Sequence, residues 1–126
     1  MKAKLIYTGI RVKDLPKSVE FYTGLLGMKE KGRSRIEISS GEVVSLVSED
    51  GGHEIELNYY DRGSKFDEAY IVGEGLDHLA FQVEDVDKFL EESKMAGYPA
   101  VLDMKTKSSR WAYIQDPNGI YIEVFA

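Results

Sequence analysis

Four residues of this chain are of types that could do metal or acid–base chemistry together: Tyr7, Glu56, His78 and Glu123. The 126 residues include no cysteine, which removes thiolate nucleophiles, thiolate metal sites and disulfides at once. Any metal must then be held by imidazole, carboxylate or phenol oxygen. Imidazole with carboxylate suits zinc or nickel, and also iron, cobalt or manganese. A single strand histidine is commonly structural, and single glutamates are commonly solvated. What sets these four apart is that they occupy matching places in two halves of the chain.

YTGIRVKDL, from residue 7, lies over HLAFQVEDV, from residue 78. Tyr7 pairs with His78, Val12 with Val83 and Asp14 with Asp85, each 71 residues apart. Near the end of each half IELN lies over IEVF, matching Glu56 to Glu123. The order of elements repeats too. Residues 4–12 alternate as a strand, Asp14 offers a helix N-cap with Pro16 in the first turn, and Leu15, Val19, Tyr22 and Leu26 form one apolar helical stripe stopped by Gly27. Strands are expected near 28–38, 42–48 and 53–60, the last two joined by EDGG. In the second half GLDHLAFQV reads as a strand, Asp85 as an N-cap and VDKFLEESKMA as a helix closed by Gly97. Strands follow near 99–103, 109–115 and 120–125, the last two joined by DPNG. The expected class is therefore α+β, with a strand–helix–three-strand (βαβββ) module used twice, about 1–62 and about 74–126, in one domain over 1–126.

Side chains alternate across a strand. Tyr7, Gly9 and Arg11 share one face and Thr8, Ile10 and Val12 the other. His78, Ala80 and Gln82 likewise oppose Leu79, Phe81 and Val83, while Glu56, Asn58 and Tyr60 oppose Ile55, Leu57 and Tyr59. The aliphatic face seats the helix of each half, leaving a polar face that carries small residues, aromatics, His78, Glu56 and Glu123. Two such sheets facing each other would form a cup lined by Tyr7, Glu56, His78 and Glu123. Arg11, on the Tyr7 face, offers a partner for an anionic substrate group. Trp111 and Tyr113 share a face that is either core or pocket wall, and His53, after two glycines, reads as a loop residue.

The net charge of −6 argues against nucleic acid as the main partner, since phosphate contact needs a basic face. The opening MKAKLIYTG lacks a signal-type apolar core, and no later run approaches a membrane span. A soluble, cytoplasmic protein with no membrane partner is expected.

The segments IRVKDLPKSVEFYTGLLGM, HEIELNYY, GLDHLAFQVEDVD and YIQDPNGIYIEV together resemble the glyoxalase I branch of the vicinal oxygen chelate superfamily, over nearly the whole chain. That resemblance implies paired βαβββ modules forming a cupped sheet, usually a homodimer, with a divalent metal held from four strands by His, Glu, His and Glu. The last three fall on Glu56, His78 and Glu123; the first falls on Tyr7. The family's glutathione-contacting arginine falls on Arg11. Its helper asparagine falls on Tyr60, with Asn58 two places earlier. The chemistry implied is isomerisation of a 2-oxoaldehyde hemithioacetal through an enediolate, with Glu123 or Glu56 moving the proton.

A phenol in place of an imidazole must lose a proton before it binds as an anion, at a cost of about 4 kcal/mol at pH 7. Tyr7 is then a weakened ligand, or it hydrogen-bonds to a metal-bound water while three residues hold the ion. Two other functions fit the same fold: a ring-cleaving dioxygenase, and a metal-free binding protein in which aromatics such as Tyr7, Tyr60 and Trp111 stack on a drug-like ligand.

Overall fold

The computed structural model describes residue 2 and residues 5–126. The chain divides into two compact units, Met1–Ala69 and Tyr70–Ala126. The first contains β1 (Thr8–Arg11), α1 (Leu15–Glu20), β2 (Lys29–Ile36), β3 (Gly41–Val47) and β4 (Glu54–Tyr60). The second contains β5 (His78–Gln82), α2 (Val86–Met95), β6 (Leu102–Lys105), β7 (Arg110–Gln115) and β8 (Tyr121–Phe125). Each unit is a βαβββ module with one four-stranded mixed sheet, in the orders β1-β4-β3-β2 and β5-β8-β7-β6. The first and last strands of each module run parallel and the other neighbours antiparallel. This is the α+β fold expected from the sequence.

The two modules share not only topology but register. Thr8 pairs with Ile55 and Gly9 with Glu56 across β1 and β4; Leu79 pairs with Ile122 and Ala80 with Glu123 across β5 and β8. These are the pairs that the sequence repeat superposes. Ile10, Val12, Ile55 and Leu57 are buried in the first unit, and Ile122 and Val124 in the second, as the alternation requires. Leu79, Phe81 and Val83 are only half-buried, and α2 packs against β7.

Both helices begin as expected. The Asp14 carboxylate accepts from the Lys17 backbone N–H at 3.0 Å, and that of Asp85 from Lys88 at 3.0 Å. Both stop at a glycine in the left-handed region, Gly27 at φ 69° and Gly97 at φ 95°. The stripe on the first helix is different from the expected one: Leu15, Ser18, Phe21 and Tyr22 are buried, while Val19 and Leu26 are half-buried. For Leu26 the cause is a π-helical turn over Phe21–Leu25, in which the Leu26 N–H reaches back to the Phe21 carbonyl. Its wider winding moves the phase of the apolar face.

Four strand limits also move, one of them that of the GLDHLAFQV strand, which begins only at His78. The first strand begins at Thr8; Leu5 and Ile6 before it are exposed, and the expected starting residue Lys4 lies outside the described residues. The 28–38 strand ends at Ile36, where a 3-10 turn over Glu37–Ser39 takes over. The 99–103 strand shifts to Leu102–Lys105, the stretch that finds ladder partners on β7. Among the described residues no helix is long and apolar enough to cross a membrane.

Candidate active site

The second unit brings two of the expected residues together. Ala80 on β5 and Tyr113 on β7 flank Glu123 on β8, and the glutamate leans back along the sheet toward His78. His78 Nε2 lies 3.1 Å from Glu123 Oε2, with both side chains partly exposed. The other ring nitrogen, Nδ1, lies 2.6 Å from Oδ2 of Asp77. Both ring nitrogens thus face a carboxylate oxygen; in the tautomer that carries its proton on Nδ1 toward Asp77, Nε2 would offer a lone pair to an electrophile held between it and Glu123.

The alternation settles Trp111 and Tyr113. Ala112 and Ile114 form the buried face of β7, so Trp111 and Tyr113 stand on the His78 side. The Tyr113 ring meets His78 edge-on at 5.4 Å, and it contacts Trp111 at 5.6 Å and Tyr121 at 6.2 Å. Its hydroxyl points at Glu123 Oε2 from 3.5 Å. Burial, aided by the negative charge of Glu123 and Asp77, raises the Tyr113 phenol above its ordinary value. It therefore stays protonated at neutral pH, as a donor toward the carboxylate.

In the first unit Glu56 is half-buried on β4, flanked by Gly9 on β1 and Ser45 on β3. Asn58 uses its side-chain amide on the chain itself, donating to the Glu56 carbonyl at 3.1 Å and reaching the Ile10 carbonyl at 3.4 Å. It thereby ties β4 to β1. The Tyr60 ring packs on Phe66 at 5.3 Å. Tyr7, just before β1, is 46% exposed. Arg11 does not stand open: it donates to the Glu68 carbonyl at 2.6 Å and pairs with Asp67 at 3.2 Å. His53 is exposed in the β3–β4 turn, as expected.

A divalent ion binds nitrogen and oxygen donors at about 2.0–2.2 Å, so two neighbouring ligands of one ion sit about 3 Å apart. The 3.1 Å separation of His78 Nε2 and Glu123 Oε2 fits one edge of such a coordination shell, and the donor types suit zinc or nickel. Glu56 and Tyr7 belong to the first unit. Among the described residues, no three His, Cys, Asp or Glu side chains converge as a ligand cluster.

Asp67 and Asp77 are the neighbours that sequence reasoning did not select, and Tyr113 was left open between core and pocket wall. Asp77 directly precedes His78 and so had a local signal. Tyr113 had only strand alternation, and Asp67 had none.

Comparison with known proteins identifies the family. Residues 4–124 match the family model described as the glyoxalase/bleomycin resistance protein/dioxygenase superfamily. The chain is 32% identical over 127 aligned positions to a probable lactoylglutathione lyase of Synechocystis, covering 95% of this chain and 92% of that protein. It is 29% identical to a lactoylglutathione lyase of Arabidopsis thaliana, covering 96% of this chain but only 43% of that longer protein. Among solved structures, the trypanothione-dependent glyoxalase I of Leishmania major superposes with a TM-score of 0.76 at 29% identity, over 98% of this chain and 86% of that one.

Proposed function

Because this chain belongs to the glyoxalase/bleomycin resistance protein/dioxygenase superfamily, we propose that it is a lyase of the glyoxalase I type, converting the hemithioacetal of a 2-oxoaldehyde into the thioester of a 2-hydroxy acid. The observation that carries this reading is the His78–Glu123 pair, 3.1 Å apart on a polar face, in a chain similar to proteins named lactoylglutathione lyase. His78, Glu123 and Glu56 are the residues that would hold a divalent metal. Tyr7 would hydrogen-bond to whatever occupies the fourth position rather than fill it, leaving that position open as catalytic metal sites require.

The reaction moves one proton between neighbouring carbons and the hydroxyl proton between the two oxygens they carry, with no net change of oxidation state. A carboxylate, Glu123 or Glu56, takes the proton from the carbon that carries sulfur and hydroxyl. The bonding pair left behind places negative charge on the two vicinal oxygens. A bound divalent cation, zinc or nickel, would supply Lewis-acid neutralisation of that charge. The protonated carboxylate then delivers its proton to the adjacent carbon, completing the thioester. Tyr113, protonated and 3.5 Å from Glu123 Oε2, orients that carboxylate. The partner in this reading is a small-molecule substrate. The homodimer and the cytoplasmic setting expected from the sequence belong to the same reading.

The test begins with the metal content of the purified protein. Methylglyoxal premixed with a thiol is then added and thioester absorbance followed. Stoichiometric zinc or nickel with thioester formation supports the lyase. A second reading is a metal-free binding protein, favoured by the aromatic row Trp111, Tyr113 and Tyr121 beside His78. Protein that takes up no metal on titration and forms no thioester would select it.

A further inference from the structure

The residue that resembles the family's anion-binding arginine already has an anion. The Arg11 guanidinium donates from Nη1 to the Glu68 carbonyl at 2.6 Å and from Nη2 to Asp67 Oδ1 at 3.2 Å. Asp67 is not a loose surface partner. Its second oxygen accepts from the Gly63 N–H at 2.8 Å, and its own N–H donates to the Ser64 carbonyl at 3.1 Å. The segment that carries it is anchored at its start by an Arg35–Asp61 ion pair and by the Asp61 N–H on the Ser40 carbonyl. In its middle, Phe66 packs on Tyr60. The Asp67 carboxylate is thus held in place by contacts other than the arginine.

We propose that Asp67 is a specificity-determining residue: it neutralises Arg11 from within the chain, so that the thiol arm of the substrate needs no carboxylate at this position. This rests on the lyase reading above and narrows its substrate class. A substrate carboxylate arriving at Arg11 must displace a carboxylate that is already hydrogen-bonded there. The exchange replaces one anion by another and leaves Asp67 charged without its cation, so little binding is gained. The two neighbouring positions agree. Tyr60 stands where an asparagine would help bind such an arm, and its ring is taken up by Phe66; the Asn58 amide is committed to backbone carbonyls.

The experiment compares the methylglyoxal hemithioacetals of glutathione and of its dimethyl ester, in the wild type and in Asp67→Asn. The asparagine retains an oxygen for the Gly63 N–H but removes the charge. In the wild type kcat/KM is expected to favour the diacid by no more than about threefold, and in Asp67→Asn the preference rises to about tenfold or more. A wild-type preference already about tenfold or higher, or a ratio that Asp67→Asn leaves unchanged, overturns the proposal. The same ratio is read independently of turnover from equilibrium binding of S-methylglutathione and its dimethyl ester. If no hemithioacetal is converted, the lyase reading fails, while the binding ratio still decides the role of Asp67.

Discussion

In the first sheet Glu56 stands between Gly9 and Ser45; in the second, at the same address, Glu123 stands between Ala80 and Tyr113. The small residue on one side is kept, and the other side differs. Glu123 has an imidazole 3.1 Å away and a phenol beside it, whereas Glu56 has a serine on its flank and an exposed tyrosine at the histidine's counterpart. The backbone of the repeat has been held while its side chains diverged. A shared register fixes where a carboxylate stands; its neighbours set what that carboxylate can do.

Exchanging carboxylate for amide is the harshest way to break this comparison. Glu123→Gln is expected to lower kcat/KM for a hemithioacetal by about 100-fold or more, the scale of a lost general base. Glu56→Gln made alongside it shows whether the proton work is shared: an equal loss, followed by thioester absorbance, means that it is. The next change makes the first unit resemble the second. Tyr7→His is expected to raise zinc or nickel affinity about tenfold or more in a calorimetric titration, since a neutral imidazole binds without first losing a proton. Unchanged or weaker affinity would return Tyr7 to a wall position.

Smaller effects test whether the modules also share their stability devices. Asp14→Ala and Asp85→Ala each remove an N-cap and should cost about 1 kcal/mol in urea unfolding. A large difference between them would show that one helix is held by packing instead.

The acid limb is the mildest test. A hydrogen bond from Arg35 lowers the Asp61 carboxyl in the first unit, and hydrogen bonds from Arg110 and Lys105 lower that of Asp87 in the second. Carboxyls depressed in the folded state stabilise it above their unfolded value of about 4, and that stability is lost as pH falls through the folded values. Arg35→Ala and Arg110→Ala should each flatten the decline in stability below about pH 4, and added salt should do the same, because these pairs are exposed.

Much of the fold was legible because it depends on local signals repeated twice. Asp14 and Asp85 marked helix starts, Gly27 and Gly97 marked stops, and alternation assigned Ile10, Leu57, Ile122 and Val124 to the buried faces. Matching Glu56 to Glu123 even gave the strand register, since pairing followed the same alignment. What was not legible depends on distant partners. Nothing near Arg11 in sequence announces Asp67, 56 residues away. The π turn at Phe21 leaves no mark in a pattern read at 3.6 residues per turn. Trp111 and Tyr113 could be assigned to one face, but which face the helix covers is decided by the packing of Ala112 and Ile114.

The turn before β8 has a bearing on chemistry that it never touches. Asp116, nearly buried, accepts through Oδ1 from the N–H groups of Asn118 and Ile120, and its other oxygen accepts from the Asn118 amide. This clamp fixes how many residues separate β7 from β8. Because side chains alternate with a period of two, a slip of one residue would send Glu123 into the core and bring Val124 out beside His78. Asp116 and Asn118 therefore act as the phase lock of the repeat's second copy: change the length of that turn, and a carboxylate changes sides without any catalytic residue being mutated.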